Sequence, residues 1–126
     1  MKDFKKYFLL PASPPDVYNA LTNKLMLEIW TGEPAEMSEE PGSEFSLWDG
    51  SITGKNLEFE KNRKIVQQWY FEDQAEESVV VIKIHPHEEG SSVEVRHSNI
   101  PDDAWDNITD GWKSDYFESL RELFSE

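Results

Sequence analysis

Trp105, Ile108, Trp112, Tyr116, Leu120 and Leu123 fall three or four residues apart, and this stripe constrains the fold more than any other feature of the chain. An α-helix brings residues at those spacings onto one face. The pattern predicts one long helix over about 103–124, apolar on one side and acidic on the other. Asp102, Asp103 and Asp106 stand at its start, where the helix dipole favours negative charge. A helix of that kind needs an apolar surface to cover. Gly111 in its interior costs about 1 kcal/mol against alanine, and a close backbone approach to that surface is one reason to keep it.

Upstream residues supply the surface as short strands. Residues 4–10 are aromatic-rich and bounded by Pro11, which predicts a strand. Ser13-Pro14-Pro15-Asp16 reads as a helix start, with Ser13 as cap, proline at the first position and Asp16 where a capping-box acid belongs. Val17, Ala20 and Leu21 then form one apolar face. A second short helix over 24–30 carries Leu25, Leu27 and Ile29 and stops at Gly32, a left-handed cap. Residues 33–37 are a weak strand. Residues 44–48 are followed by Asp49-Gly50, a two-residue hairpin signal, and then by 51–60, with Gly54 as a bulge or bend. Strands at 64–72, 78–85 and 92–98 complete the series, the last two joined around His87-Glu88-Glu89-Gly90. Consecutive hairpins give an antiparallel meander and an α+β chain, not a parallel sheet.

At 126 residues the chain has room for one core, so a single domain over 1–126 is expected. Twelve basic and 26 acidic residues give a formal charge of 12 − 26 = −14, which repels phosphate backbones and anionic lipid. Nucleic-acid binding is therefore excluded as an expectation. Without cysteine there is no disulfide, thiol nucleophile or cysteine-ligated metal. The N-terminus lacks a secretory pattern and the longest aliphatic run is 79–82, so a cytoplasmic protein without membrane insertion is expected, as a monomer. Five Trp, four Tyr and seven Phe are many for such a chain; they either fill a core or line a cavity.

Several strings carry a family resemblance. Pro14 to Thr22 contains Pro-x-x-Val-Tyr-x-Ala-Leu-Thr, and Trp30-Thr31-Gly32 ends the second helix. Phe45 to Gly54 reads Phe-Ser-Leu-Trp-Asp-Gly-Ser-Ile-Thr-Gly, Lys64 to Trp69 reads Lys-Ile-Val-Gln-Gln-Trp, and Gly111-Trp112 follows late. In this order the chain resembles the START-like (SRPBCC) helix-grip superfamily, and within it the C-terminal-type domain of activators of heat-shock protein 90 ATPase. Tyr70 departs from the basic residue that often follows the strand tryptophan in such domains. The eukaryotic activators also carry a separate N-terminal domain that makes main contacts with the chaperone; 126 residues match the C-terminal-type domain alone. The resemblance implies a curved antiparallel sheet of six to seven strands, two short helices, and the long helix laid across the sheet.

A helix across a curved sheet leaves a gap that is either filled or a pocket. With Tyr70, Lys83, Glu94 and Arg96 pointing outward, alternation puts Ile65, Gln67, Trp69 and Phe71 inside, with Val80, Ile82, Ile84, Val93, Val95 and His97. The helix adds Trp105, Ile108, Trp112 and Tyr116, Trp30 closes one end, and Phe45 and Leu47 are taken as inward in preference to Trp48. Gln67 and His97 are then the polar groups among apolar walls, an arrangement suited to a hydrophobic ligand oriented by one or two hydrogen bonds. Alternatively they complete a dry core.

Other constellations are weaker. His85-Pro86-His87 with Glu88 and Glu89 has metal-ligand residue types, but Pro86 and Gly90 make a hairpin the simpler reading. No phosphate loop or nucleophile elbow occurs, and the acids at 102, 103, 106, 110, 115, 118 and 122 decorate a polar helix face, so no metal, cofactor or catalytic residue is expected. Three functions follow: a non-enzymatic module binding a hydrophobic small molecule or lipid; a co-chaperone-like partner of a heat-shock protein 90 homologue; and a cavity-type cyclase or aromatase in which Gln67 and His97 orient or protonate substrate.

Overall fold

The computed structural model describes residues 2–71 and 77–125. The elements run β1 (Lys2–Leu10), α1 (Pro14–Thr22), α2 (Lys24–Thr31), β2 (Glu44–Leu47), β3 (Ile52–Glu60), β4 (Lys64–Trp69), β5 (Ser78–His87) and β6 (Gly90–Ile100). A short 3-10 turn, Asp102–Ala104, leads into α3 (Trp105–Asp110), a π-helical segment (Gly111–Tyr116) and α4 (Phe117–Phe124), which together form one C-terminal helix. The six strands make one curved antiparallel sheet in the order β1-β6-β5-β4-β3-β2. The fold is α+β, with the helix-grip arrangement that the sequence resembles.

Alternation along the strands builds the core. Phe8 and Leu10, Ile65 and Trp69, Val80, Ile82 and Ile84, and Val93 and Val95 are all buried on the face the helices cover. Phe117 of α4 stacks on Phe8 with ring centroids 3.9 Å apart and planes 2° from parallel. The C-terminal helix is continuous but not uniformly α. At about 100° per residue, each four-residue step overshoots a turn by about 40°. Three such steps in a row, from Ile108 to Leu120, would carry the apolar stripe off the sheet. The wider π segment between Gly111 and Tyr116 takes up that overshoot and brings Tyr116 and Phe117 inward together.

Several local expectations are corrected. Ser13 makes no side-chain cap; its carbonyl accepts from Val17 N–H at 3.0 Å, and proline at the first two helical positions removes donors a cap would serve. Asn23 instead caps α2, accepting from Met26 N–H at 3.2 Å. Leu25 and Ile29 of α2 point to solvent, 70% and 64% exposed, because only the Leu27 and Trp30 side of that helix meets the core. Residues 33–37 contribute one isolated bridge, Glu36 to Ser46, rather than a strand. The β2–β3 connection spans four residues, Trp48 to Ser51, because Trp48 and Asp49 both adopt positive φ (50° and 52°) before Gly50. Gly54 is no bulge: a Cβ there would collide with the Gln68 carbonyl oxygen, so glycine lets β3 and β4 close. The irregularity falls between Asn56 and Glu58. β4 ends at Trp69, and Glu72 of the expected strand lies outside the described residues. Glu94 does sit on the outer face, yet only 5% of it is exposed, since Arg96 and His85 lie against its carboxylate. A Cβ on Gly111 would meet nothing closer than the Asp115 carboxylate at 3.9 Å, so close approach to the sheet does not explain that glycine.

Candidate functional site

The space between sheet and helix is organised by two tryptophans. Trp69, on the inward side of β4, stacks on Trp112 of the helix at 4.8 Å between centroids and 23° between planes. A buried indole N–H needs an acceptor. Trp69 donates to Gln67 Oε1 at 3.1 Å, two residues back on the same face. Gln67 Nε2 donates in turn to Asn56 Oδ1 at 3.1 Å, and Asn56 Nδ2 to the Ser38 carbonyl and Ser43 Oγ.

Trp112 donates to His97 Nδ1 at 3.1 Å. That nitrogen is therefore the unprotonated one, and Nε2 carries the hydrogen toward Ser78 Oγ at 2.8 Å. Ser78 Oγ–H donates in turn to the Ser98 carbonyl at 2.9 Å. Burial pushes the His97 imidazole from 6.5 down to about 4, and an indole donor at Nδ1 leaves no place for a second proton. Gln67 and His97 are thus each bonded to its own tryptophan in the buried layer between sheet and helix. The acid–base or orienting role that a cyclase-like reaction needs would require breaking one of these bonds.

Open space remains at the rim, a groove of about 500 Å³ along the π segment. Trp48, Trp69, Trp112 and Tyr116 form its wall with Ile52 and Ile108. Its edge is polar and acidic, with Glu33 and Asp115 and no lysine or arginine. Trp48 packs edge-on against Trp30 at 5.6 Å and Tyr116 at 5.9 Å. A bulky residue at φ 50° is strained, and this ring cluster holds it there.

Of the thirteen cavity residues expected, Trp69, Ile108 and Trp112 line this groove. Trp30, Phe45, Leu47, Gln67, Val80, Ile82, Val95 and His97 are buried beneath it as packing. Trp30 donates its indole N–H to the Ala20 carbonyl at 2.9 Å. Phe71 is half-buried and stacks on His97 at 6.2 Å. Trp105 lies away from the groove, edge-on to Phe4 at 6.3 Å with Lys2 over its ring. Tyr116, which the helical stripe places inside, lines the groove as well, while Trp48, Glu33 and Asp115 take places that parity did not assign to the site. The Asp49-Gly50 turn was the signal for Trp48, since positive φ before it breaks strand alternation.

Among the described residues no three His, Asp or Glu side chains converge as a metal site. His85 reaches Glu94 at 3.4 Å, and His87 Nδ1 accepts from Glu89 N–H at 3.1 Å within the hairpin. No helix among the described residues is long and apolar enough to cross a membrane.

Comparison with known proteins places this geometry. Residues 11–125 match the family model described as activator of Hsp90 ATPase homolog 1-like protein. An activator of 90 kDa heat shock protein ATPase homolog from Dictyostelium discoideum is 31% identical over 116 residues, covering 90% of this chain and 30% of that protein. The human activator of 90 kDa heat shock protein ATPase homolog 1 is 25% identical over 122 residues, covering 95% of this chain and 36% of the relative. The chain thus spans about a third of the length of these curated relatives. The crystal structure of an HSP90 activator from Plasmodium falciparum superposes with a TM-score of 0.87 at 25% identity, covering 96% of this chain and 94% of that one.

Proposed function

The chain belongs to the activator of Hsp90 ATPase homolog 1-like family, and from that membership we propose that this domain is a binding module that engages an Hsp90-type chaperone. The observation that carries the reading is how the two inward polar side chains are engaged. Gln67 and His97 are spent on Trp69 and Trp112, so the domain offers surfaces and a rim groove to a partner rather than a reaction chamber. The relatives, activators of the 90 kDa heat shock protein ATPase by name, supply the partner class. With a charge of −14, contact is expected with a basic surface and weakens as salt rises.

The test is to add the domain to the Hsp90 homologue of the same cell and follow ATP turnover and co-sedimentation across a salt series. A complex that dissociates with salt, with raised turnover, supports the proposal. Unchanged turnover and no complex at saturating domain overturn it.

A second reading, a small molecule seated in the groove, is favoured by one observation: about 500 Å³ walled by four aromatic rings. A saturable tryptophan-fluorescence response to an aromatic probe supports it.

A further inference from the structure

The rim groove has a chemical character of its own. Three indoles and a phenol present electron-rich ring faces, which attract cations held within about 6 Å. The Glu33 and Asp115 carboxylates at the edge make no hydrogen bond or ion pair among the described residues. No lysine, arginine or histidine lines the groove to neutralise them. Tyr116 adds an independent observation. It is only 3% exposed, lines the groove, and its hydroxyl has no hydrogen-bond partner among the described residues. A buried unpaired hydroxyl carries a desolvation cost that a bound partner would relieve. Burial raises its ionisation well above the usual phenol range, so it stays an O–H.

These features discriminate among ligands. A fatty acid or other carboxylate meets two like charges and no basic partner. A neutral hydrocarbon fills the aromatic wall but leaves Glu33, Asp115 and Tyr116 without a counterpart. A cation with an apolar body meets the ring faces and the two carboxylates, and an ammonium that carries an N–H can also donate to the Tyr116 oxygen.

We infer that the groove is a binding site for small organic cations, aryl- or alkylammonium compounds whose apolar body lies against Trp48, Trp69 and Trp112 while the charged nitrogen faces Glu33 and Asp115. This rests on the second reading above, that the groove takes a small molecule. The strained Trp48 backbone fits such a role, since a relaxed turn would not bring that ring over the groove.

The experiment titrates the full chain with phenyltrimethylammonium, N,N-dimethylaniline (the same ring, neutral at pH 7) and benzoate, following tryptophan fluorescence and the indole N–H signals in NMR. The expected result is saturable binding of phenyltrimethylammonium about tenfold tighter than of N,N-dimethylaniline, with no response to benzoate. The Glu33→Gln, Asp115→Asn double variant, changed only at exposed positions, should weaken the ammonium about fivefold or more and leave N,N-dimethylaniline unchanged. Equal binding of the charged and neutral rings overturns the cation assignment while the small-molecule reading stands. Ammonium binding that ignores the double variant places it elsewhere and overturns the assignment as well. No saturable response to any of the three compounds overturns both.

Discussion

Trp112 and His97 are joined by an indole N–H that donates to imidazole Nδ1 at 3.1 Å, and this bond fixes both the tautomer of the histidine and the seat of the helix on the sheet. Protonating His97 would set a donor against a donor in the core.

The first prediction is a pH dependence. Unfolded, the imidazole binds a proton near 6.5; folded, only near 4. The unfolded state therefore takes up protons first, so the stabilisation is fully present above 6.5 and is lost as pH falls from 6.5 toward 4. The two values imply a loss of about 3 kcal/mol from this residue. Urea unfolding at pH 7, 5.5 and 4.5 should show it. A His97→Asn variant, less stable at pH 7, should show a flatter profile over that range; an unchanged slope would refute the assignment.

Gln67 is predicted to matter as a relay rather than as packing. Gln67→Leu leaves the Trp69 N–H and the Asn56 side-chain oxygen unpaired in a buried site. At about 1–3 kcal/mol per orphaned group, the variant should lose about 2–6 kcal/mol in denaturant unfolding. A loss below about 0.5 kcal/mol would mean the network is not holding the two strands.

The two internal glycines should respond in opposite directions. Gly54→Ala drives a Cβ into the Gln68 carbonyl and the Phe45 ring and is expected to cost about 3 kcal/mol or prevent folding. Gly111→Ala meets open space with helical φ and ψ of −61° and −41° and should gain about 1 kcal/mol. Thermal melts of the two variants check both signs.

Phe117→Ala should cost about 3–5 kcal/mol, because it removes a fully buried ring stacked on Phe8 and the helix cannot collapse into the gap without losing Trp112.

Phe117 also shows where the sequence stops being readable. Strand alternation is a rigid rule of the pleat, so Ile65, Gln67 and Trp69, and likewise Val93, Val95 and His97, could be placed inward from their order alone. The helical stripe was legible as a helix but not as one with a π segment, since nothing in a run of residue types marks where a turn widens. Reading it as uniform α left Phe117 off the buried face. Trp48 escaped for a related reason: its positive φ lifts it out of the alternation that placed Phe45 and Leu47. The glycine-aspartate punctuation announced a turn but not how many residues it would take. Polar contacts were the least legible part. That Gln67 and His97 faced inward followed from parity, while their pairing with one tryptophan each depended on where the helix came to rest.

The close but skewed seating of Trp69 and Trp112, 4.8 Å between centroids and 23° between planes, has an optical consequence. Indoles this close couple their electronic transitions and give a two-signed circular-dichroism band that a single, isolated ring does not. One of the pair rides on the sheet and the other on the helix, so this pair's share of the band, beside that of Trp30 and Trp48, exists only while the grip is closed. The molecule thereby carries an intrinsic gauge of that closure, readable without any label, and any partner that prises the helix away would announce itself by erasing that share.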